Sequence, residues 1–147
     1  MTGTLDPIVK RLELEVSASR AFEHFTQSIA HWWPLSSHSL SGEYARQVVF
    51  EAQTGGRIYE IDNLGREREW GIVHACETDS FLAFSWVLER PDLATEVQVH
   101  FESVTQNSCI LTLEHVGWDR RPDGVEWRGN YNSGWDSVLS QYSKTLD

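Results

Sequence analysis

His115 is the side chain in this sequence best suited to proton chemistry. Cys109, Leu111 and Leu113 precede it at steps of two. A strand over CILTLEHV therefore puts all four on one face and leaves Ile110, Thr112 and Glu114 on the other. Apolar neighbours depress an imidazole's pKa by desolvation and keep a neutral ring that donates and accepts. Three roles are open to it. It can be a structural histidine bonded to a backbone carbonyl or to the aromatic stripe of the last helix, a ligand contact, or an acid–base partner of Tyr142 or Tyr59. No paired carboxylates or nucleophile–base constellation accompanies it, and GxSxG, P-loop and GxGxxG patterns are absent. No residue is assigned to catalysis, and an enzyme is the less favoured reading. His31 and His38 are seven apart across Pro34, which is not metal spacing, while Cys76 and Cys109 stand isolated. Two buried thiols are expected rather than a disulfide, with no zinc site, metal or cofactor.

Aromatic residues are the other chemical feature. Seven tryptophans occur among 147 residues, two of them adjacent in HWWP (31–34). Neighbours on a helix point about 100° apart, so Trp32 and Trp33 cannot fill one contact. Either both pack a helix junction, or one anchors the helix while the other lines a cavity mouth. Trp70, Trp86 and Tyr59 fall on strands, and Trp86 shares its face with Leu82 and Phe84. Indole N–H and phenol O–H groups need partners, so such aromatics suit a core or a cavity with a few orienting polar groups.

These groups need elements to hold them. IVKRLELEV (8–16) alternates as a half-buried strand, and ASRAFEHFTQSI follows as a helix with Ser17 or Ser19 as N-cap. Pro34 ends that helix. SSHSLSGEYAR is a polar loop. QVVFEAQ and RIYEID form a hairpin through Thr54-Gly55-Gly56, and REREWGIVHACE, FLAFSWVLE, TEVQVHFE and CILTLEHVGW continue as strands. From Val125 the period becomes helical: Trp127, Tyr131, Trp135, Val138, Leu139, Tyr142 and Leu146 form one stripe of about five turns. Gly129 and Gly134 each weaken that helix and let backbone or ligand come close. The order is strand, helix, six strands, long helix. It specifies an α+β fold in which the last helix covers the concave face of a curved antiparallel sheet.

The length fits one domain over 1–147, and a composition of 40% apolar and 23% charged residues is that of a globular chain. Twelve Lys and Arg against 22 Asp and Glu give a formal charge of −10. With no basic cluster, neither nucleic acid nor an anionic membrane is an expected partner. No stretch reads as a signal peptide or membrane span, so a cytoplasmic location is expected.

WWP, GGRIYE (55–60), EWGIVHACETDSFLAFSW (69–86), TLEHVGWDR (112–120) and GWDSVL (134–139) occur in order. Together they resemble the activator of heat-shock-protein-90 ATPase homologue family, over about residues 8–146. That family belongs to the START and birch-pollen-allergen superfamily, the helix-grip or SRPBCC fold. The resemblance implies about seven antiparallel strands gripping the C-terminal helix, one or two short helices after the first strand, and an apolar cavity between sheet and helix. In the GGR-aromatic-E motif, Arg57 pairs with a carboxylate on a neighbouring strand, or binds an acidic ligand group if it points inward. By superfamily analogy Trp33 becomes a pocket wall. Candidate ligand-binding residues are then Trp33, Tyr59, Trp70, Trp86 and Phe101, with His115, and with Tyr131, Trp135, Leu139 and Tyr142 on the helix. The expected partner is a small apolar or aromatic molecule. The alternatives are a co-chaperone-like module acting on a heat-shock-protein-90 ATPase, or a cyclase- or hydrolase-type enzyme using the same cavity. Monomer and homodimer are both compatible with the resemblance.

Overall fold

The computed structural model describes residues 4–146. Seven strands form one antiparallel sheet in the order β1-β7-β6-β5-β4-β3-β2. They are β1 (Ile8–Leu14), β2 (Ala45–Phe50), β3 (Arg57–Asp62), β4 (Glu67–Glu77), β5 (Phe81–Trp86), β6 (Thr95–Thr105) and β7 (Ser108–Val116). Helices α1 (Ala18–Thr26) and α2 (Ile29–Trp32) follow β1, and α3 (Gly124–Thr145) closes the chain.

The alternation read from the sequence sets which face is buried. Val97, Val99 and Phe101 of β6 and Cys109, Leu111, Leu113 and His115 of β7 all point into the core. The sheet bends because its ladders slip. Register shifts lie between Ala45 and Gln47, Ile58 and Tyr59, Val73 and Ala75, and Ser103 and Thr105. Each extra residue kinks its strand and increases local twist, which curls a flat ladder into a trough.

The expected single helix over 18–29 is two. Ser17 caps α1, its Oγ accepting from Arg20 N at 3.1 Å. The chain then breaks at Gln27 and Ser28, and α2 restarts for one turn. His24 is buried on the inner face of α1. Its ring lies 5.1 Å from Tyr142, and its Nε2 is bonded to Thr145 Oγ1 at 2.8 Å. The helical spacing that carries Ala21 and Phe25 inward carries His24 with them. Helix α3 begins at Gly124, so both Gly129 and Gly134 lie inside it, and it runs 22 residues rather than the expected five turns.

Cys76 and Cys109 are free thiols. Among the described residues no helix is long and apolar enough to cross a membrane.

Gly71 of β4 lies against the Ser85 backbone of β5. A Cβ there would come within 1.8 Å of the Ser85 carbonyl oxygen, which belongs to backbone and cannot swing aside. Gly71→Ala is expected to lower unfolding free energy by about 1–3 kcal/mol. Urea titration reads the shift, and an unchanged midpoint would mean the strands can separate at no cost.

Candidate ligand-binding site

The two adjacent tryptophans divide their labour. Trp32 is anchored in the core, its ring 5.0 Å from Tyr142 and its Nε1 donating to the His24 carbonyl at 2.8 Å. Trp33 turns the other way. Its ring lies 5.0 Å from Trp70, 5.9 Å from Trp86 and 5.9 Å from Trp135. Its Nε1 donates to the His38 carbonyl at 2.7 Å, so one indole fills the grip and also fastens the 34–44 loop.

Indole rings pack between sheet and helix, Trp33 lying against Trp70, Trp86 and Trp135. A cleft of about 280 Å³ opens at the rim. Trp33, Trp86, Tyr131 and Trp135 form its aromatic wall, Leu40, Leu88 and Val138 its aliphatic wall, and Ser37, His38 and Ser39 a polar edge. A side compartment of about 210 Å³ shares Leu40, Trp86, Leu88, Trp127 and Tyr131 with the cleft and adds Arg90 and Arg121. Both guanidiniums are occupied, Arg90 by Asp92 and Arg121 by Asp123.

Two ties hold the outer wall. Glu60 is fully buried on β3, where its carboxyl oxygens accept from Leu40 N at 2.6 Å, Ser41 N at 2.8 Å and Trp70 Nε1 at 2.6 Å. A buried carboxylate is tolerable only with such donors. Arg68 of β4 bridges the two lips of the cleft. It donates through Nη1 to the Leu40 carbonyl at 3.3 Å and through Nη2 to Glu89 at 2.7 Å. Glu89 and Leu88 form a tight turn closed by Arg90 N to Val87 O, with φ of 66° and 45°. Non-glycine residues rarely adopt this left-handed region. Leu88, read from the sequence as a strand residue, reaches the cleft from this turn instead.

Of the ten candidates, Trp33, Trp86, Tyr131 and Trp135 meet at the cleft. Trp70 lies behind Trp33, held by Glu60. Phe101 packs beneath α1 with its ring 5.5 Å from Phe22. Tyr142 is buried at the far end of α3 and donates its hydroxyl to the Ala21 carbonyl at 2.6 Å, while burial raises its pKa. Leu139 is buried and faces β1 rather than the cleft. Tyr59 is on the opposite face of the sheet, because the buried residues of β3 are Ile58, Glu60 and Asp62. The Arg57 guanidinium lies 4.1 Å over the Tyr59 ring. Arg57 also pairs with Glu67 at 3.1 Å and Glu69 at 3.2 Å, so the outward ion pair is realised and the inward one is not. Those carboxylates raise its pKa further.

His115 is fully buried behind the cleft wall. Trp135 Nε1 donates to its Nδ1 at 3.0 Å, and its Nε2 is bonded to Thr95 Oγ1 at 2.7 Å. An indole nitrogen only donates, so Nδ1 is the bare acceptor and the proton resides on Nε2, directed at Thr95. Desolvation, and secondarily the charge of Arg121, push its pKa down to about 3. The expected neutral ring is present. Among the described residues no hydrogen bond or ring contact joins it to Tyr59 or Tyr142, so the acid–base partnerships do not form.

Sequence reading missed Leu40, hidden in a polar loop, and gave no role to Glu60 or Arg68. An acid inside an otherwise alternating strand, on its apolar face, was the available signal for Glu60.

The model for the family described as "Activator of Hsp90 ATPase homolog 1-like protein" matches residues 15–147. The chain belongs to this family. The self-sacrificing resistance protein CalC from Micromonospora echinospora is 23% identical, with 97% of this chain and 95% of that one covered and a TM-score of 0.72. The Aha1 dimer from Colwellia psychrerythraea is 14% identical, with 96% of each chain covered and a TM-score of 0.70. The anthrahydroquino-γ-pyrone synthase Txn09, complexed with SUM, is 26% identical, with 98% and 99% covered and a TM-score of 0.65. No curated protein matches the chain significantly. These neighbours share the fold described above.

Two measurements check this geometry. The unfolded His115 imidazole takes up a proton near pH 6.5, whereas the folded one resists until about pH 3. Between those values the unfolded state binds more protons, so the contribution is complete above pH 6.5 and is lost as pH falls, by up to about 1.4 kcal/mol per unit. Melting temperature should drop from pH 7 to pH 4 in the wild type and more shallowly in His115→Gln. Equal slopes would assign the titration elsewhere. Gly134 lines the cleft and has nothing within 4 Å of a Cβ position. Gly134→Ala should therefore raise stability by up to about 1 kcal/mol, read by chemical denaturation.

Proposed function

We propose that the protein binds a small, flat, apolar or aromatic molecule in the rim cleft, without itself catalysing a reaction. The observation that carries this reading is the roughly 280 Å³ opening, walled by indole and phenol rings and edged on one side by serines and a histidine. Ligand sites combine a mostly apolar lining with a few orienting polar groups, and their volumes start at about 300 Å³. The opening therefore suits a compound of two or three fused rings. Trp33, Trp86, Tyr131 and Trp135 are its stacking surfaces, while Trp70 and His115 brace them from behind. Txn09 and CalC, described as a synthase complexed with SUM and as a resistance protein, are consistent with a fold that handles small molecules. His115 supports binding over catalysis, since both ring nitrogens are committed to protein groups.

Thermal-shift and tryptophan-fluorescence titrations against polycyclic aromatics, sterols and fatty acids test the proposal. A ligand at about 100 times its Kd stabilises by about 2.7 kcal/mol. A saturable shift with quenching is expected for at least one aromatic compound. Gly134→Leu, whose side chain enters the cleft from an unobstructed position, should fold normally and lose that response. A panel with no saturable hit overturns the reading, as does a hit that Gly134→Leu leaves intact.

A further inference from the structure

Tyr131 is the one residue on the cleft's aromatic wall whose polar atom is left with something to give. Trp86 Nε1 donates to the Tyr131 hydroxyl at 3.0 Å, across a bond that is only partly buried. The indole cannot accept, so the phenol oxygen serves as acceptor there and keeps its own proton for another partner. Among the described residues that bond is the only hydrogen bond the hydroxyl makes. The buried polar aromatics around it are committed: Trp32 to the His24 carbonyl, Trp33 to the His38 carbonyl, Trp70 to Glu60, Trp118 to the His115 carbonyl, Trp135 to His115 and Tyr142 to the Ala21 carbonyl.

Position and electrostatics agree. Tyr131 and Trp86 both line the cleft and its side compartment, and the bond between them is only partly buried. The ring is fixed by His115 at 5.2 Å and Trp118 at 5.5 Å. A hydroxyl on a held ring, turned by an indole donor, has its remaining direction restricted before any ligand arrives, which lowers the ordering cost of binding. Burial raises the phenol's pKa, so it stays protonated and able to donate at neutral pH. Arg90 and Arg121 add a positive rim to the side compartment, although each is already paired with an aspartate.

We infer that Tyr131 is a specificity residue that donates a hydrogen bond to a carbonyl-type oxygen on the ligand's ring system. The class selected is then a fused-ring ketone, quinone or pyrone rather than a plain hydrocarbon. This inference rests on the cleft-binding reading above and deepens it.

The matched pair 9-fluorenone and fluorene tests it, since the two share a tricyclic skeleton and differ in one carbonyl. Affinities are read by quenching of tryptophan fluorescence and by calorimetry, for wild type and for Tyr131→Phe. The expected result is that wild type prefers fluorenone by about 5- to 30-fold. Tyr131→Phe should lose that preference by weakening fluorenone more than fluorene, with a modest fall in melting temperature because Trp86 Nε1 loses its acceptor. A Trp86→Phe variant should reduce the preference partially, because the hydroxyl then turns freely. If wild type binds both compounds equally, or if Tyr131→Phe keeps the preference, the donor role is overturned while the cleft reading stands. If neither compound binds, the donor role is overturned, and the wider ligand panel decides the cleft reading separately.

Discussion

Everything at the open end of this protein depends on where the indole of Trp33 goes. A helix laid in a curved sheet leaves more space than aliphatic side chains fill, and Trp33 occupies it with contacts to Trp70, Trp86 and Trp135 at once. Aromatic pairs at such tilted geometries contribute about 0.5–1.5 kcal/mol each beyond area burial. The same ring ends the interior and begins the cleft. Pro34 makes that division obligatory, because the chain leaves α2 at Trp33 with extended backbone (ψ 127°) and cannot carry the second tryptophan round with the first.

Filling a core with tryptophan creates a second constraint, since each buried N–H must be matched. The solutions here also build the site. Trp33 secures the loop carbonyl at His38, Trp70 shares Glu60 with the loop amides of Leu40 and Ser41, and Trp135 settles the tautomer of His115. Core satisfaction and loop placement are therefore one network. Removing a core acceptor such as Glu60 would strand an indole and two amides together, which explains why an acidic side chain can sit with no exposed surface.

Much of this architecture was legible from period alone. Alternation placed Cys109, Leu111, Leu113 and His115 inward, and the step of three or four found the buried stripe of α3, because a side chain's face follows directly from strand or helix geometry. The motifs in register gave the family. What period cannot supply is where two distant segments meet. Tyr59 looked like a site residue by type, but on β3 it shares a face with Arg57 and falls outside the trough. Phe101 and Tyr142 were read correctly as inward, and yet they lie under α1 rather than beside the cleft, since inward is a direction and not a location. Leu40 was invisible inside SSHSLSGEYAR, because its placement comes from Glu60, twenty residues on. The resemblance implied an apolar cavity between sheet and helix, but which residues line an opening there depends on how the indoles pack, which no periodicity reports.

The turn at Leu88 and Glu89 carries a consequence of its own. Asparagine and glycine relax in left-handed backbone, whereas leucine and glutamate are uncomfortable there by about 1–2 kcal/mol each. Arg68 restrains the second residue from outside, and the first is thereby pressed toward the aromatic wall. This corner is thus a place where foldability has been traded for shape. Evolutionary drift toward easier turn residues would make the chain sturdier and leave its mouth slack.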